Sequence, residues 1–331
     1  MLVLYIKSPL DYSRGLFFII NFENMNSNIK VTILGNSAAI PSKGSHLSAQ
    51  VIVVNGEYFL MDCGEGTQHQ LINLGIKYSR IDNIFISHLH GDHFFGLIGL
   101  ISTYHLLGRE KELNIYAPAS LEKLIRIQLE VAHTSLKYKL NFHVVDILDK
   151  QMVFENSKAI VYAFPLEHRV PTFGYIFKQP DFKPKIDKEF VAEFNPTVEQ
   201  IRDIKSGEDF VSPSGEIIAN EHITIPPKQS LSYAYCSDTR YNVKLSLFVK
   251  NVSVLYHEAT FDNSLKDLAW EKYHSTAEEA ARTASNANAG QLILGHFSAR
   301  NSDNSLLVDE AIEVFPHTVL SEEGMEYIIS N

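Results

Sequence analysis

Apolar positions along this chain fall mostly into short β-branched runs that stop at glycine, asparagine or proline, with longer helical patterns between them. Ile29-Lys30-Val31-Thr32-Ile33-Leu34 alternates and ends at Gly35-Asn36, which predicts a strand. Residues 51–54 and 58–61 flank Asn55-Gly56, the signature of a tight hairpin. That hairpin delivers Asp62-Cys63-Gly64-Glu65-Gly66-Thr67-Gln68, where Thr67 is placed to cap a helix over 68–74. Ile84-Phe85-Ile86 reads as a buried strand, and beyond Gly91 the spacing of Phe94, Leu97, Ile98, Ile101 and Tyr104 predicts a helix. Further strands are expected over 113–116, 142–145, 159–164, 175–177, 231–236, 252–256 and 291–294, and near Val319 and Tyr327. Helices are expected over 121–131, 277–287 and 305–314, the second capped by Ser275 or Thr276.

Two segments break this rhythm. Residues 179–230 hold six of the 12 prolines and many charges, with short helices expected at 187–193 and 197–205. They read as an inserted arm or lid rather than a second core domain. Residues 1–28 read as an N-terminal extension. Leu16-Phe17-Phe18-Ile19-Ile20 slightly resembles a signal peptide, but its apolar core is short and Asn21-Phe22-Glu23-Asn24 is a poor cleavage site. The simpler expectation is an upstream start codon with the functional chain beginning near Met25; a packed extension is the other.

Composition narrows the class. At 331 residues, 45% hydrophobic and 21% charged, the chain has the make-up of a soluble protein with a large core. It has no apolar run long enough for a transmembrane helix, so no membrane partner is expected. Cys63 and Cys236 make no disulfide framework, which fits a reducing cytoplasm. The net charge of -10 argues against a nucleic-acid partner, although a whole-chain sum leaves room for a local basic patch.

The chemistry gathers at His88-Leu89-His90-Gly91-Asp92-His93, between a strand and a helix. Imidazole and carboxylate together are what zinc and similar divalent ions bind. His88 and His90 are two apart, so extended backbone points them the same way. Asp92 and His93 lie past the glycine turn and can face a second ion. The spacing resembles the signature of the metallo-β-lactamase superfamily. Other ligand-type residues recur at strand ends, where layered α/β folds build their sites. Asp62 is placed to bond the free nitrogen of a metal-bound histidine. His168 is the best-placed third imidazole for the first ion, Asp238 can bridge two ions, and His296 completes the second set. Asp267, on an expected helix, has no such setting. The assembled expectation is His88, His90 and His168 on one ion and Asp92, His93 and His296 on the other, with Asp238 and a water or hydroxide between them. Paired cations suit an in-line displacement at a phosphodiester. Asp92 can act as base as well as ligand, His274 as general acid, and Glu258 can orient His274.

The stretches Phe59-Leu60-Met61-Asp62-Cys63-Gly64-Glu65-Gly66-Thr67-Gln68, His88-Leu89-His90-Gly91-Asp92-His93, Ser237-Asp238-Thr239-Arg240, His257-Glu258-Ala259-Thr260-Phe261, His274-Ser275-Thr276 and Gly295-His296-Phe297-Ser298-Ala299-Arg300 together resemble the ribonuclease Z family. These are tRNA 3′-processing endoribonucleases, and the likeness is to the short form. The resemblance covers residue 29 to the end. It implies an α/β (α+β) fold, a four-layer αββα sandwich over 29–331 with the arm inserted at about 179–230. It also implies two Zn2+ ions per chain, with Mn2+ or Fe2+ as substitutes, and a homodimer. The implied substrate is precursor tRNA, cut after the discriminator nucleotide to leave a 3′-hydroxyl. The family's arm grips the tRNA elbow.

The sequence departs from the family pattern in two places. Phe194-Asn195-Pro196-Thr197 stands where the arm usually carries a Gly-Pro-rich turn, and Lys178, Lys183, Lys185 and Lys188 are interleaved with Asp181, Asp187, Glu189 and Glu193. An expected arginine is replaced by Lys43-Gly44-Ser45-His46, leaving Lys43 or His46 as alternative phosphate contacts. Cys63 and Cys236 neighbour site residues but point to the opposite side, so burial behind the site is expected. Two other readings compete. A small-molecule hydrolase for thioesters, lactones or cyclic nucleotides would use the arm as a lid. A non-enzymatic nucleic-acid scaffold would require lost ligands, and all seven are present.

Overall fold

Strand pairing follows the alternation. In the computed structural model, which describes residues 3–7, 28–41, 44–300 and 303–331, Ile29–Gly35 pairs antiparallel with Ala49–Val54. The latter turns at Asn55-Gly56 into Glu57–Met61. Ile81–Phe85, Leu113–Ala117 and Leu140–Val144 then add in parallel. On the other side Glu326–Ser330 pairs with Ile29–Gly35, and Val3–Lys7 pairs with Glu326–Ser330, closing an eight-stranded sheet. A second sheet has seven strands in the order Thr318–Leu320, Gln291–Gly295, Val254–Glu258, Ser232–Cys236, Thr172–Lys178, Ile160–Leu166 and Gln151–Glu155.

Period-two side-chain placement explains the layering. Phe59, Met61 and Phe85 of the first sheet meet Phe177, Tyr233, Tyr235, Val254, Tyr256 and Ile293 of the second in the central core. Leu60 and Ile84, one position over, point outward under helices Thr67–Asn73, Leu97–Leu106 and Ser120–Val131. Likewise Ala234, Cys236, Leu255, Leu292 and Leu294 face helices Ala277–Asn286 and Ser305–Ile312. Ala277, Ala280, Ala281 and Ala284 lie on one buried face, small enough for that helix to sit close to the sheet. The result is the helix–sheet–sheet–helix sandwich that the family resemblance implies.

Several local expectations are corrected. Thr67 does not cap its helix: Gly66 takes the capping position with φ 87, and the Thr67 hydroxyl donates to Gly64 O at 2.7 Å. The left-handed backbone needed there is one only glycine adopts freely. The helix beyond Gly91 is broken into Gly91–Phe94 and Leu97–Leu106. At Gly96 the Gly64 carbonyl would lie 2.2 Å from any added Cβ, and Gly96 N–H donates to Cys63 O. This close approach diverts the chain. His46 bonds Glu323 through both its backbone and its ring, the latter at 2.7 Å, so it is engaged with a carboxylate. Lys43 lies outside the described residues, as do Leu16-Phe17-Phe18-Ile19-Ile20 and Met25. Thr276, rather than Ser275, caps Ala277–Asn286, in a reciprocal pair with Glu279.

Pro180–Ser230 forms a compact unit of its own. Asp187 caps Lys188–Phe194, Asn195 ends it in the left-handed region, and Thr197 opens Val198–Ile204 with a capping box to Gln200. Phe190, Ile204, Phe210 and Ile223 make a small core, so this insertion buries apolar surface within itself.

Candidate metal centre

Each site residue leaves a strand end or the turn beyond it. His88 and His90 follow Ile81–Phe85, and Asp92 and His93 lie in the short helix Gly91–Phe94. His168 follows Ile160–Leu166, Asp238 follows Ser232–Cys236, and His296 follows Gln291–Gly295. Asp62, Asp238 and His296 all have φ between 57 and 59. That left-handed region costs non-glycine residues energy, least for Asp, Asn and His, and is found where a site over-determines the backbone.

Two donor clusters result. In the first, His90 Nδ1 lies 3.0 Å from His88 Nε2 and 3.2 Å from His168 Nε2. Asp238 Oδ2 lies 3.6 Å from His88 Nε2 and 3.7 Å from His168 Nε2. In the second, His93 Nε2 and His296 Nε2 are 3.4 Å apart. Asp92 Oδ2 lies 3.5 and 3.7 Å from those two atoms. Asp238 Oδ1 lies 3.1 Å from His93 Nε2 and 3.0 Å from His296 Nε2. The two oxygens of Asp238 thus face the two clusters. A tetrahedral zinc with bonds of ~2.0–2.1 Å separates its donor atoms by about 3.3 Å. The donor spacing and the imidazole–carboxylate chemistry of both groups fit divalent ions.

Outer partners fix the rings. Asp62, fully buried, accepts from His93 Nδ1 at 2.7 Å, Tyr235 Oη at 2.9 Å, and both the backbone N–H (2.7 Å) and hydroxyl (2.9 Å) of Ser87. His168 Nδ1 donates to Tyr273 O at 2.9 Å. Thr260 Oγ1 accepts from His296 Nδ1 at 3.0 Å while donating to Glu258. With Nδ1 occupied, Nε2 of these three rings is turned to the cluster. Burial pushes the pKa values of His88, His90 and His168 down, which favours the neutral imidazole that a cation needs. Burial opposes the Asp92 charge, but the adjacent His296 and His93 rings outweigh it and hold the carboxyl well below its usual range.

His274 stands beside the second cluster, its ring stacked at 5.6 Å on that of His296. Its Nδ1 is 3.0 Å from both oxygens of Glu258. Burial lowers its pKa, but the Glu258 charge and hydrogen bond raise it to about 9. All ten residues singled out in the sequence therefore converge on one place. Residues not singled out are Ser87, Tyr235 and Thr260. Thr260 sat within a quoted motif, yet its partner His296 is 36 positions away, and no local pattern signals that bond. Cys63 and Cys236 are buried, as expected.

These layers and this site are those of a metallo-β-lactamase-type protein. In solved structures, human tRNase Z, short form, superposes with a TM-score of 0.65 at 30% identity, covering 90% of this chain and 98% of that one. The metallo-β-lactamase fold protein YhfI from Bacillus subtilis superposes with a TM-score of 0.64 at 19% identity, covering 91% of this chain and 100% of that one, a likeness of fold. The family model described as Anti-Pycsar protein Apyc1 matches residues 29–205. Ribonuclease Z of Bacteroides thetaiotaomicron is 42% identical over 299 residues, 90% of this chain and 95% of its own length. Ribonuclease Z of Cytophaga hutchinsonii is 40% identical over 305 residues, 92% of this chain and 97% of its own. The chain belongs to the ribonuclease Z family.

Proposed function

We propose that this chain is a metal-dependent endoribonuclease that removes the 3′ trailer from precursor tRNA, cutting after the discriminator nucleotide to leave a 3′-hydroxyl. The observation that carries this reading is His274, held by Glu258 at 3.0 Å beside two donor clusters, in a chain 42% identical to a ribonuclease Z. His88, His90, His168 and Asp238 would hold one ion; Asp92, His93, His296 and Asp238 the other. Two zinc ions, with manganese or iron as substitutes, suit these donors. When bound, such ions lower the pKa of an attacking water and neutralise charge on the phosphoryl oxygens.

The chain's own residues do the rest. Asp92 takes a proton from the attacking water. Asp238 holds the two clusters at a set separation. His274 delivers a proton from Nε2 to the departing 3′ oxygen, and Glu258 holds the imidazolium in that orientation. The inserted unit is the arm that grips tRNA; Lys183, Lys185 and Lys188 lie on it. A cytoplasmic homodimer completes the reading. No helix among the described residues is long and apolar enough to cross a membrane.

The test is cleavage of a precursor tRNA carrying a 3′ trailer by the zinc-loaded protein, mapped to the nucleotide. A single cut after the discriminator is expected. A trailer left intact while a cyclic nucleotide or thioester is hydrolysed would move the substrate to the small-molecule class and make the arm a lid.

A further inference from the structure

Contacts from two other parts of the chain meet on a residue outside the donor set, Arg240. Its backbone N–H donates to Glu167 O at 3.0 Å, and its Nη1 lies 3.5 Å from Glu167 Oε1. Its Nη2 donates to Trp270 O at 3.1 Å. The guanidinium carbon lies 4.0 Å from the Trp270 ring centroid and 3.6 Å from that of Tyr273. Two of these partners adjoin the site, Glu167 before His168 and Tyr273 before His274, and Arg240 itself is two residues past Asp238.

Two features make this more than surface packing. Tyr273 has φ 62, a left-handed conformation that a bulky residue keeps only when its surroundings enforce it. Its carbonyl is the acceptor that orients His168. The Arg240 side chain is 13% exposed, and its Nε is buried without a hydrogen-bond partner. A guanidinium with one donor unmade is a costly choice for filling space, which an apolar side chain would do at lower cost. What the guanidinium offers instead is a rigid plane that stacks on two rings while its fork holds two loops.

We propose that Arg240 is a positioning residue: it locks the loop carrying His168 and the loop carrying His274 in register with Asp238. It touches none of the reacting atoms. Loops are the mobile parts of a fold, whereas a site needs its groups held to within about 0.5 Å, so the lock has a function. The inference rests on the proposed metal-dependent cleavage, and among the imidazoles placed to hold an ion it is His168 whose acceptor, Tyr273 O, Arg240 steadies.

The test compares zinc-loaded parent, Arg240→Gln and Arg240→Lys in precursor-tRNA cleavage and in zinc release to a chromophoric chelator. Both variants are expected to lose about 10-fold or more in kcat, the scale of a lost outer-shell partner, with KM little changed. One zinc is expected to leave early while the ion held by Asp92, His93 and His296 stays. Lysine keeps the charge but neither the plane nor the fork, so it should not rescue. Parent-like kcat and zinc release would overturn the proposal, and so would simultaneous loss of both ions with a parallel fall in thermal midpoint. Should the Arg240 variants fail to fold, Trp270→Leu removes one stacking face from a half-exposed position and should show the same order of zinc loss, more weakly. A parent that holds no zinc and cuts no trailer would count against the proposed function. Arg240 would then be judged by histidine 15N NMR. Loss of the Nδ1-protonated state of His168 in the variants alone supports the lock, and its persistence in them overturns it.

Discussion

His274 Nδ1 lies 3.0 Å from both carboxylate oxygens of Glu258, a residue with no exposed surface. The pair leaves the opposite ring nitrogen, Nε2, free for the proton donation that the proposed cleavage assigns to it. Replacing His274 by Ala removes the proton for the departing oxygen and leaves the donor clusters complete. Single-turnover cleavage is expected to slow at least ~100-fold, the size of a lost general acid, with bound metal unchanged. A smaller loss would assign the proton to another group.

The same pair sets a pH dependence. Burial alone would lower the His274 pKa; Glu258 raises it to about 9. A general acid works only when protonated, so kcat should hold through neutral pH and fall as pH rises through that value. Glu258→Gln removes the negative charge, so the fall should begin at lower pH. A profile with an unmoved basic limb would separate His274 from proton donation.

Asp62 is the acceptor for His93, Tyr235 and Ser87 at once. Asp62→Asn replaces one carboxylate oxygen with a donor and leaves one of these N–H or O–H groups opposed by another donor. Zinc affinity measured by chelator competition is expected to fall roughly 10- to 100-fold. An unchanged affinity would make Asp62 a purely structural residue.

Asp238 offers one oxygen to each cluster. Asp238→Ala should therefore lower the metal bound per chain relative to the parent, measured by elemental analysis of the purified proteins. An unchanged metal content would show that the clusters do not share this carboxylate.

Cys63 is fully buried, and burial pushes its thiol up to about 12; Cys236 is buried too, its pKa also raised. Neither thiol should react with a disulfide reagent at pH 8 in the native protein, and both should react in denaturant. Rapid labelling of native protein would place a thiol at the surface.

The strand ends and the convergence of seven imidazole and carboxylate residues were legible because their signals are local. Alternation over 29–34 and the spacing of His88, His90, Asp92 and His93 depend only on neighbouring residues, and a pleated strand translates that spacing directly into sides. Motifs at strand ends then needed only the rule that such ends share an edge. The break at Gly96 was not legible, because the atom that forces it is the Gly64 carbonyl from another loop. The same holds for Thr260 on His296, Tyr235 on Asp62, and Arg240 between the loops of Glu167 and Trp270. Their residue types announce no role; only their partners do, and those lie 30 to 173 positions away. So the sequence by itself determined which imidazole and carboxylate groups stand at the strand ends. The tertiary structure alone decided which nitrogen of each ring faces the cluster and what holds it there, because tautomer and orientation are set by contacts between strands and loops that only folding brings together.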